Sequence, residues 1–317
     1  MNRQPTIEWQ VCGTCNYDCS YCIQSKVYRT GHPSPEQVEQ FLQFFQELPQ
    51  RFEIKMTGGE PFAFRGFMER IIPGLVQRTL HTISVLTNLS APLSLIERFA
   101  TLTRGRLGVV SASLHLEFTS PERFIEKAKV LRDKMDPRAH LTINSVLVPG
   151  RLREVLAAQQ IVEAAGLKLF PQIMKIGSGT ASYSPEDQKI IAALVGDKPT
   201  PDRANMAPSY KGRLCYAGVD YLVLLQNGDG WSCRTARRFK QGFLGNVFSG
   251  TLTRWESASP CPYEICPCTV PANRGMIEGV SAAARRCVEG SPDSDEEVAA
   301  VANFVPLRRL SGGDFRA

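Results

Sequence analysis

Cys15, Cys19 and Cys22 stand in the run CNYDCSYC as Cys-x3-Cys-x2-Cys, directly after a short apolar segment over residues 7–11. A four-iron, four-sulfur (4Fe-4S) cluster is normally held by four thiolates. Three ligands on one loop can hold three irons and leave the fourth open. An open iron can bind a substrate or cofactor, whereas a fully ligated cluster mainly moves electrons. The spacing therefore points to cluster chemistry performed on a bound ligand.

A second group, Gly58-Gly59-Glu60-Pro61, follows the next strand-like segment. Paired glycines let the backbone approach a ligand closely because no Cβ intervenes. A turn there can offer backbone polar groups to an ammonium. Five further cysteines, Cys215, Cys233, Cys261, Cys266 and Cys268, are spaced Cys-x17-Cys and then, later, Cys-x4-Cys-x-Cys. Four thiolates from a hairpin and a later loop can enclose zinc or an iron–sulfur cluster, and spacing alone does not separate the two. Cys12 and Cys287 are left over. Cys12 and Cys15 form a Cys-x2-Cys pair that could suggest a redox dithiol. With Cys15 explained as a cluster ligand, Cys12 reads as a small buried residue and Cys287 as an ordinary thiol.

The elements that must position these groups alternate. Apolar strand-like segments over 7–11, 52–56, 82–86, 107–113, 141–148 and 167–173 are separated by stretches of helical periodicity. Ser34-Pro35-Glu36, Ser120-Pro121-Glu122 and Ser184-Pro185-Glu186 each combine a serine N-cap, proline at the first helical position and an early acid. Val38, Phe41, Leu42 and Phe45 recur at helical spacing and should face a sheet. Strand–helix alternation of this kind implies an α/β fold with a parallel sheet and right-handed crossovers. A full eight-unit barrel needs more chain, typically about 250 residues. The expectation is a partial (βα)6 TIM-like barrel over 1–196. A Pro-, Asn- and Asp-rich linker over 197–209 follows, and Asn227-Gly228 predicts a β-hairpin between Cys215 and Cys233. Residues 197–278 are thus expected to form a small β-hairpin and helix domain around the downstream cysteines, and 279–317 a helix with a flexible tail.

Composition narrows the setting. An apolar fraction of 43% and a charged fraction of 21% are ordinary for a soluble globular chain of 317 residues. No apolar run approaches the roughly 20 residues that span a bilayer. The start, MNRQPTIEWQ, lacks the apolar stretch of a secretory signal, which predicts the cytoplasm. Clustered cysteines in such a setting point to metal rather than disulfides. The net charge of +6 is spread along the chain and reads as a solvated surface. The run Arg234-Thr235-Ala236-Arg237-Arg238 is basic but carries no interleaved aromatic stripe, so nucleic acid is not an expected partner.

The cysteine spacing, with aromatic Tyr21 before the last ligand, resembles the radical S-adenosylmethionine (SAM) enzymes. The resemblance implies that Cys15, Cys19 and Cys22 carry a 4Fe-4S cluster. Its open iron would chelate SAM, and one electron would cleave SAM to methionine and a 5′-deoxyadenosyl radical that abstracts hydrogen from substrate. Gly58, Gly59 and Glu60 match the family's GGE motif. The resemblance extends SAM contacts, less specifically, to Thr87 beside Asn88, to Ser113 and to Asn144. At residue 115, two after Ser113, relatives often carry an acid, and this chain has His115. The downstream region, including Cys215-Tyr216-Ala217-Gly218 and Leu244-Gly245-Asn246, is similar to the auxiliary SPASM or Twitch domains. That implies one auxiliary iron–sulfur cluster, of 4Fe-4S type, on Cys215, Cys233 and two of Cys261, Cys266 and Cys268. The family also implies an electron donor such as flavodoxin or ferredoxin. Relatives with such a module act on ribosomally made peptides, sugars, or nucleosides and antibiotics. A peptide substrate is the leading expectation. With the core starting so near residue 1, it requires a separate leader-recognition protein or a leaderless peptide. The alternative is dehydrogenation, epimerisation or decarboxylation of a sugar- or nucleoside-derived small molecule.

Overall fold

The computed structural model describes residues 3–24, 29–177, 179–196, 209–264, 266, 268 and 270–280. Most of the expected linker over 197–209, Cys287, and all but the first two residues of the expected helix and tail over 279–317 lie outside the described residues.

Strands and helices alternate from the start: β1 (Thr6–Cys12), α1 (Pro35–Gln46), β2 (Glu53–Gly58), α2 (Ile72–Arg78), β3 (Thr82–Thr87) and α3 (Leu93–Leu102). The series continues with β4 (Leu107–Ser113), α4 (Pro121–Lys134), β5 (His140–Leu147), α5 (Leu152–Ala164) and β6 (Leu169–Ile173). Strands β1 to β6 pair in sequence order, all parallel, as in the expected partial barrel. A short antiparallel pair, β7 (Lys175–Ile176) and β8 (Gly179–Thr180), leads to α6 (Pro185–Val195). The serine caps act as their sequence predicts. Ser34, Ser120 and Ser184 accept the amides of Gln37, Arg123 and Asp187, each ahead of a proline in the first turn.

Side-chain alternation gives the sheet two characters. Trp9 packs on α1, its ring 4.7 Å from Phe41 and 5.1 Å from Phe45, so Ile7, Trp9 and Val11 form the apolar face toward the helices. The opposite face of β1 carries Thr6, Glu8, Gln10 and Cys12, all buried. Glu53 and Lys55 of β2, Ser84 of β3, and Ser111 and Ser113 of β4 with Asn144 of β5 continue this inner face. The barrel interior is therefore polar and the helix layer apolar.

The remaining elements are β9 (Leu214–Cys215), β10 (Tyr221–Leu224), β11 (Asp229–Trp231), α7 (Arg234–Arg238), β12 (Phe243–Asn246), β13 (Ser259–Pro260) and α8 (Val270–Asn273). The hairpin predicted at Asn227-Gly228 forms between β10 and β11, with Gly228 at φ +87. It is not a detached sheet. Strand β10 lies parallel to β1, pairing Thr6 with Tyr221 and Glu8 with Val223. The result is one nine-stranded sheet in the order β12-β11-β10-β1-β2-β3-β4-β5-β6. The physical reason is apolar burial on both faces of β10. Leu222 and Leu224 join the main core, and Tyr221 and Val223 join a smaller one with Val270 and Met276. Among the described residues no helix is long and apolar enough to cross a membrane.

Candidate functional site

Strand β1 ends in Cys12 at a bulge, and the chain turns into the loop that carries Cys15, Cys19 and Cys22. Cys12 is buried, and its Sγ donates to the carbonyls of Thr14 and Glu60, both at 3.6 Å. Burial pushes its thiol up to about 12, so it is the inert, packed residue expected. Cys15 is half-buried, Cys19 buried and Cys22 exposed. The loop backbone is clamped to the end of β2. The amide of Gly59 donates to the Cys12 carbonyl at 3.0 Å, and that of Glu60 to the Thr14 carbonyl at 2.8 Å. A Cβ on Gly58 would run into the backbone of Cys12, and one on Gly59 into that of Gly13 and Thr14. Here the paired glycines serve a close approach of two protein backbones, and two of the turn's amides are spent on the loop.

Glu60 is buried and ties the ends of β2 and β3 together. Its carboxylate accepts from Thr87 Oγ1 at 2.7 Å, the Asn88 amide at 2.6 Å and the Phe62 amide at 3.2 Å. Burial outweighs those three bonds and pushes the carboxyl up to about 7. Asn88 Nδ2 donates to Asn16 Oδ1 at 3.0 Å, so β3 also grips the cysteine loop. The next residue, Leu89, has φ +51, a left-handed backbone uncommon outside glycine. Ser113, at the end of β4, pairs side by side with Asn144 within β5. Ser113 Oγ donates to Asn144 Oδ1 at 2.9 Å, and Asn144 Nδ2 to Ser111 Oγ at 2.9 Å.

The turn after β4 closes the other side of the loop. Ser20 donates to the Glu117 carboxylate through its amide at 2.9 Å and through its hydroxyl at 2.5 Å. Arg151 holds the same carboxylate at 3.3 Å. His115 Nδ1 lies 2.8 Å from the Tyr21 hydroxyl and 3.5 Å from Cys19 Sγ. Tyr17 stacks on Phe118 with centroids 4.6 Å apart.

The three thiols are near enough for their charges to act on one another. Burial first, and then the sulfurs of Cys22 and Cys15, push Cys19 up to about 12. Cys15 is pushed up as well, by burial first, so Cys15 and Cys19 hold their protons until a metal displaces them. The Tyr17 amide already donates to Cys15 Sγ at 3.5 Å. Three free, mutually close sulfurs on one clamped loop fit an iron–sulfur cluster. Among the described residues no three His, Cys, Asp or Glu side chains are grouped for a single metal ion, and a cuboidal cluster spaces its thiolates more widely than one ion does.

Residues 9–158 match the sequence model of the Radical SAM superfamily. The chain carries a radical SAM domain. Its fold is similar to that of solved structures at low identity. Native anSMEcpe with bound AdoMet and Kp18Cys peptide is 15% identical with a TM-score of 0.54, over 78% of this chain and 79% of that one. Streptococcus suis SuiB bound to precursor peptide SuiA is 14% identical with a TM-score of 0.57, over 80% of this chain and 64% of SuiB. Among curated proteins no sequence matches.

Beyond the radical SAM domain, the structure brings the downstream cysteines together. Cys215 ends β9, Cys233 caps α7 with its Sγ accepting the Ala236 amide at 3.2 Å, and Cys261 follows β13. Cys266 is half-buried where the charges of Cys268, Cys233, Cys261 and Cys215 all reach it. Cys268 is set against the barrel, its Sγ 3.6 Å from Glu8 Oε2 and 3.8 Å from the Tyr221 hydroxyl. Burial would raise the Glu8 carboxyl, but Arg234, bonded to it at 3.0 Å, and Lys55 hold it at about 2. The basic run around Arg234 thus begins with a residue turned inward onto β1. Sequence reasoning did not find Asn16, Glu117, Glu8 or Arg234 as site residues. Asn16 is a spacer of the cysteine motif, Arg234 stood only in a basic run, and each of the four is defined by a partner at least 72 residues away. His115 stood out only as a departure from the usual acid.

Proposed function

We propose that this chain is a radical SAM enzyme whose Cys15, Cys19 and Cys22 hold a 4Fe-4S cluster with one iron left for SAM. The supporting observation is the clamp of the three-thiol loop onto the Gly58–Gly59–Glu60 turn within a radical SAM domain. When bound, the cluster and SAM would supply a 5′-deoxyadenosyl radical able to abstract hydrogen. The chain's own part is to hold the loop, bind SAM and keep the reacting groups dry. In this reading Tyr21, Gly58, Gly59, Glu60, Thr87, Ser113 and Asn144 surround SAM at the ends of β1 to β4 and within β5. Glu60 does so as the brace between two strand ends.

Residues 1–196 are the catalytic core in this proposal, and 197–278 a Twitch-type module. The module's Cys215 and Cys233, with two of Cys261, Cys266 and Cys268, hold an auxiliary iron–sulfur cluster. Five free sulfurs beside the polar barrel interior fit such a group. The substrate is a ribosomally synthesised peptide, cross-linked, epimerised or excised with help from a separate leader-binding protein, and flavodoxin or ferredoxin delivers electrons in the cytoplasm. The peptide reading is supported by the two similar structures above, each solved with a peptide.

Anaerobically reconstituted protein should carry about eight irons, falling to about four in a Cys215→Ala, Cys233→Ala variant. With a precursor peptide deuterated at the reacting residue, deuterium should appear in 5′-deoxyadenosine. A wild-type count of four irons removes the auxiliary cluster. Deuterium transfer from a sugar or nucleoside, and none from peptides, replaces the peptide reading with the small-molecule one.

A further inference from the structure

His115 is the residue of the cysteine-loop surroundings that the proposed function leaves without a task. It follows β4, and its ring is fixed by aromatics. It stacks on Tyr21 (centroids 5.8 Å, 22°) and meets Tyr17 edge-on (6.0 Å, 87°). Tyr17 is itself stacked on Phe118. This packing presents Nδ1 to two groups at once, Cys19 Sγ at 3.5 Å and the Tyr21 hydroxyl at 2.8 Å.

The chemistry of these three groups limits what they can do. A cysteine that ligates iron is a thiolate, with lone pairs and no proton, so it can only accept hydrogen bonds. A donor must then come from the groups facing it. With its proton on Nδ1, the imidazole reaches the sulfur directly. Alternatively it donates to the Tyr21 oxygen, whose own hydrogen turns to the sulfur. Either arrangement gives Cys19 a donor that depends on His115.

We infer that His115, acting with Tyr21, donates a hydrogen bond to the Cys19 sulfur of the cluster and raises its reduction potential. The inference rests on the reading that Cys19 is a cluster ligand. Adding an electron to the cluster increases negative charge on its sulfurs. A fixed donor therefore stabilises the reduced state more than the oxidised one, and hydrogen bonds to sulfur are among the levers that set such potentials. A carboxylate at residue 115 would act in the opposite sense, because its charge opposes the incoming electron. His115 is thus a positioning and tuning residue, one that makes the electron needed for SAM cleavage easier to deliver.

The test is a redox titration of the reconstituted protein, followed by the EPR signal of the reduced cluster. The signal is read in a background whose downstream cysteines are replaced, so that one cluster reports. His115→Leu should keep its iron while the ratio of reduced to oxidised cluster at fixed potential falls about tenfold, equivalent to about 59 mV for one electron. His115→Asn, whose amide N–H can stand near Nδ1, should recover most of that shift. Tyr21→Phe should also lower the potential. An unchanged potential in His115→Leu, or a shift in His115→Asn as large as in His115→Leu, overturns the inference. Should His115→Leu fail to hold iron, the wild type decides. Protein labelled with [15N]histidine and reduced should show a nitrogen coupling to the cluster that His115→Asn loses or, where Tyr21 relays the bond, an exchangeable-proton coupling that Tyr21→Phe loses, and the absence of both overturns the inference. A wild-type protein that binds no cluster at this loop instead overturns the underlying reading.

Discussion

Arg274 grips Glu53 with two hydrogen bonds, Nε to Oε2 at 2.5 Å and a terminal nitrogen to Oε1 at 2.8 Å. Both side chains are buried, the arginine following α8 and the glutamate opening β2. Ser84 Oγ at 2.6 Å and Thr6 Oγ1 at 3.3 Å complete the carboxylate's shell. One charge pair thus fastens the last described helix to the interior of the barrel.

Arg274→Met should destabilise the protein by about 3–5 kcal/mol, because it leaves a buried carboxylate without its cation. Urea denaturation would measure this. The pair also predicts the acid limb of stability. Burial would raise Glu53, but Arg274 outweighs it and holds the group at about 2, below its ordinary 4.5. A depressed carboxyl contributes stability that is present above its unfolded value and lost as pH falls through the folded one. The wild type should therefore lose stability between pH 4.5 and 2, and Arg274→Met should show a shallower decline.

Gly59→Ala tests whether the paired glycines serve the cysteine loop. The new methyl would meet the carbonyls of Gly13 and Thr14, backbone atoms that cannot swing aside. Overpacking of this kind costs about 1–3 kcal/mol or displaces the loop. Iron content after reconstitution should fall at the amino-terminal site and stay constant at the downstream one. Full occupancy of both sites in the variant would contradict the clamp.

Glu60 should titrate in the opposite sense to Glu53. Its folded value is raised by burial to about 7 from 4.5. Its contribution is full below 4.5 and is lost as pH rises through about 7. Glu60→Gln cannot ionise, so the wild type should lose about 3 kcal/mol relative to this variant between pH 4.5 and 8. Denaturant midpoints at the two pH values check this. A constant difference would show that the carboxylate stays charged through its bonds to Thr87, Asn88 and Phe62.

The sequence was most informative where a feature is local. Ser34, Ser120 and Ser184 cap helices because a serine, a proline and an acid within a single turn are enough to set a helix start. The apolar alternation of Ile7, Trp9 and Val11 likewise fixes which face of β1 meets α1. The turn at Asn227-Gly228 is of this kind too. What no local pattern shows is where distant segments meet. The parallel pairing of β10 with β1 joins residues some 215 apart. The same holds for Arg274 on Glu53 and Cys268 against Glu8, which depend on how the barrel closes. The glycines illustrate the boundary between the two. Their position at the end of β2 was legible, but their contact is with Cys12 and Thr14, which only the folded loop reveals.

The central claim is that Cys15, Cys19 and Cys22 hold a cluster able to engage SAM. Protein reconstituted without oxygen, reduced with dithionite and given SAM should release 5′-deoxyadenosine, measured by chromatography and mass. Replacing the three cysteines by alanine should abolish that release. Cluster-bearing wild type that yields no 5′-deoxyadenosine, or undiminished release from the triple variant, would contradict the account.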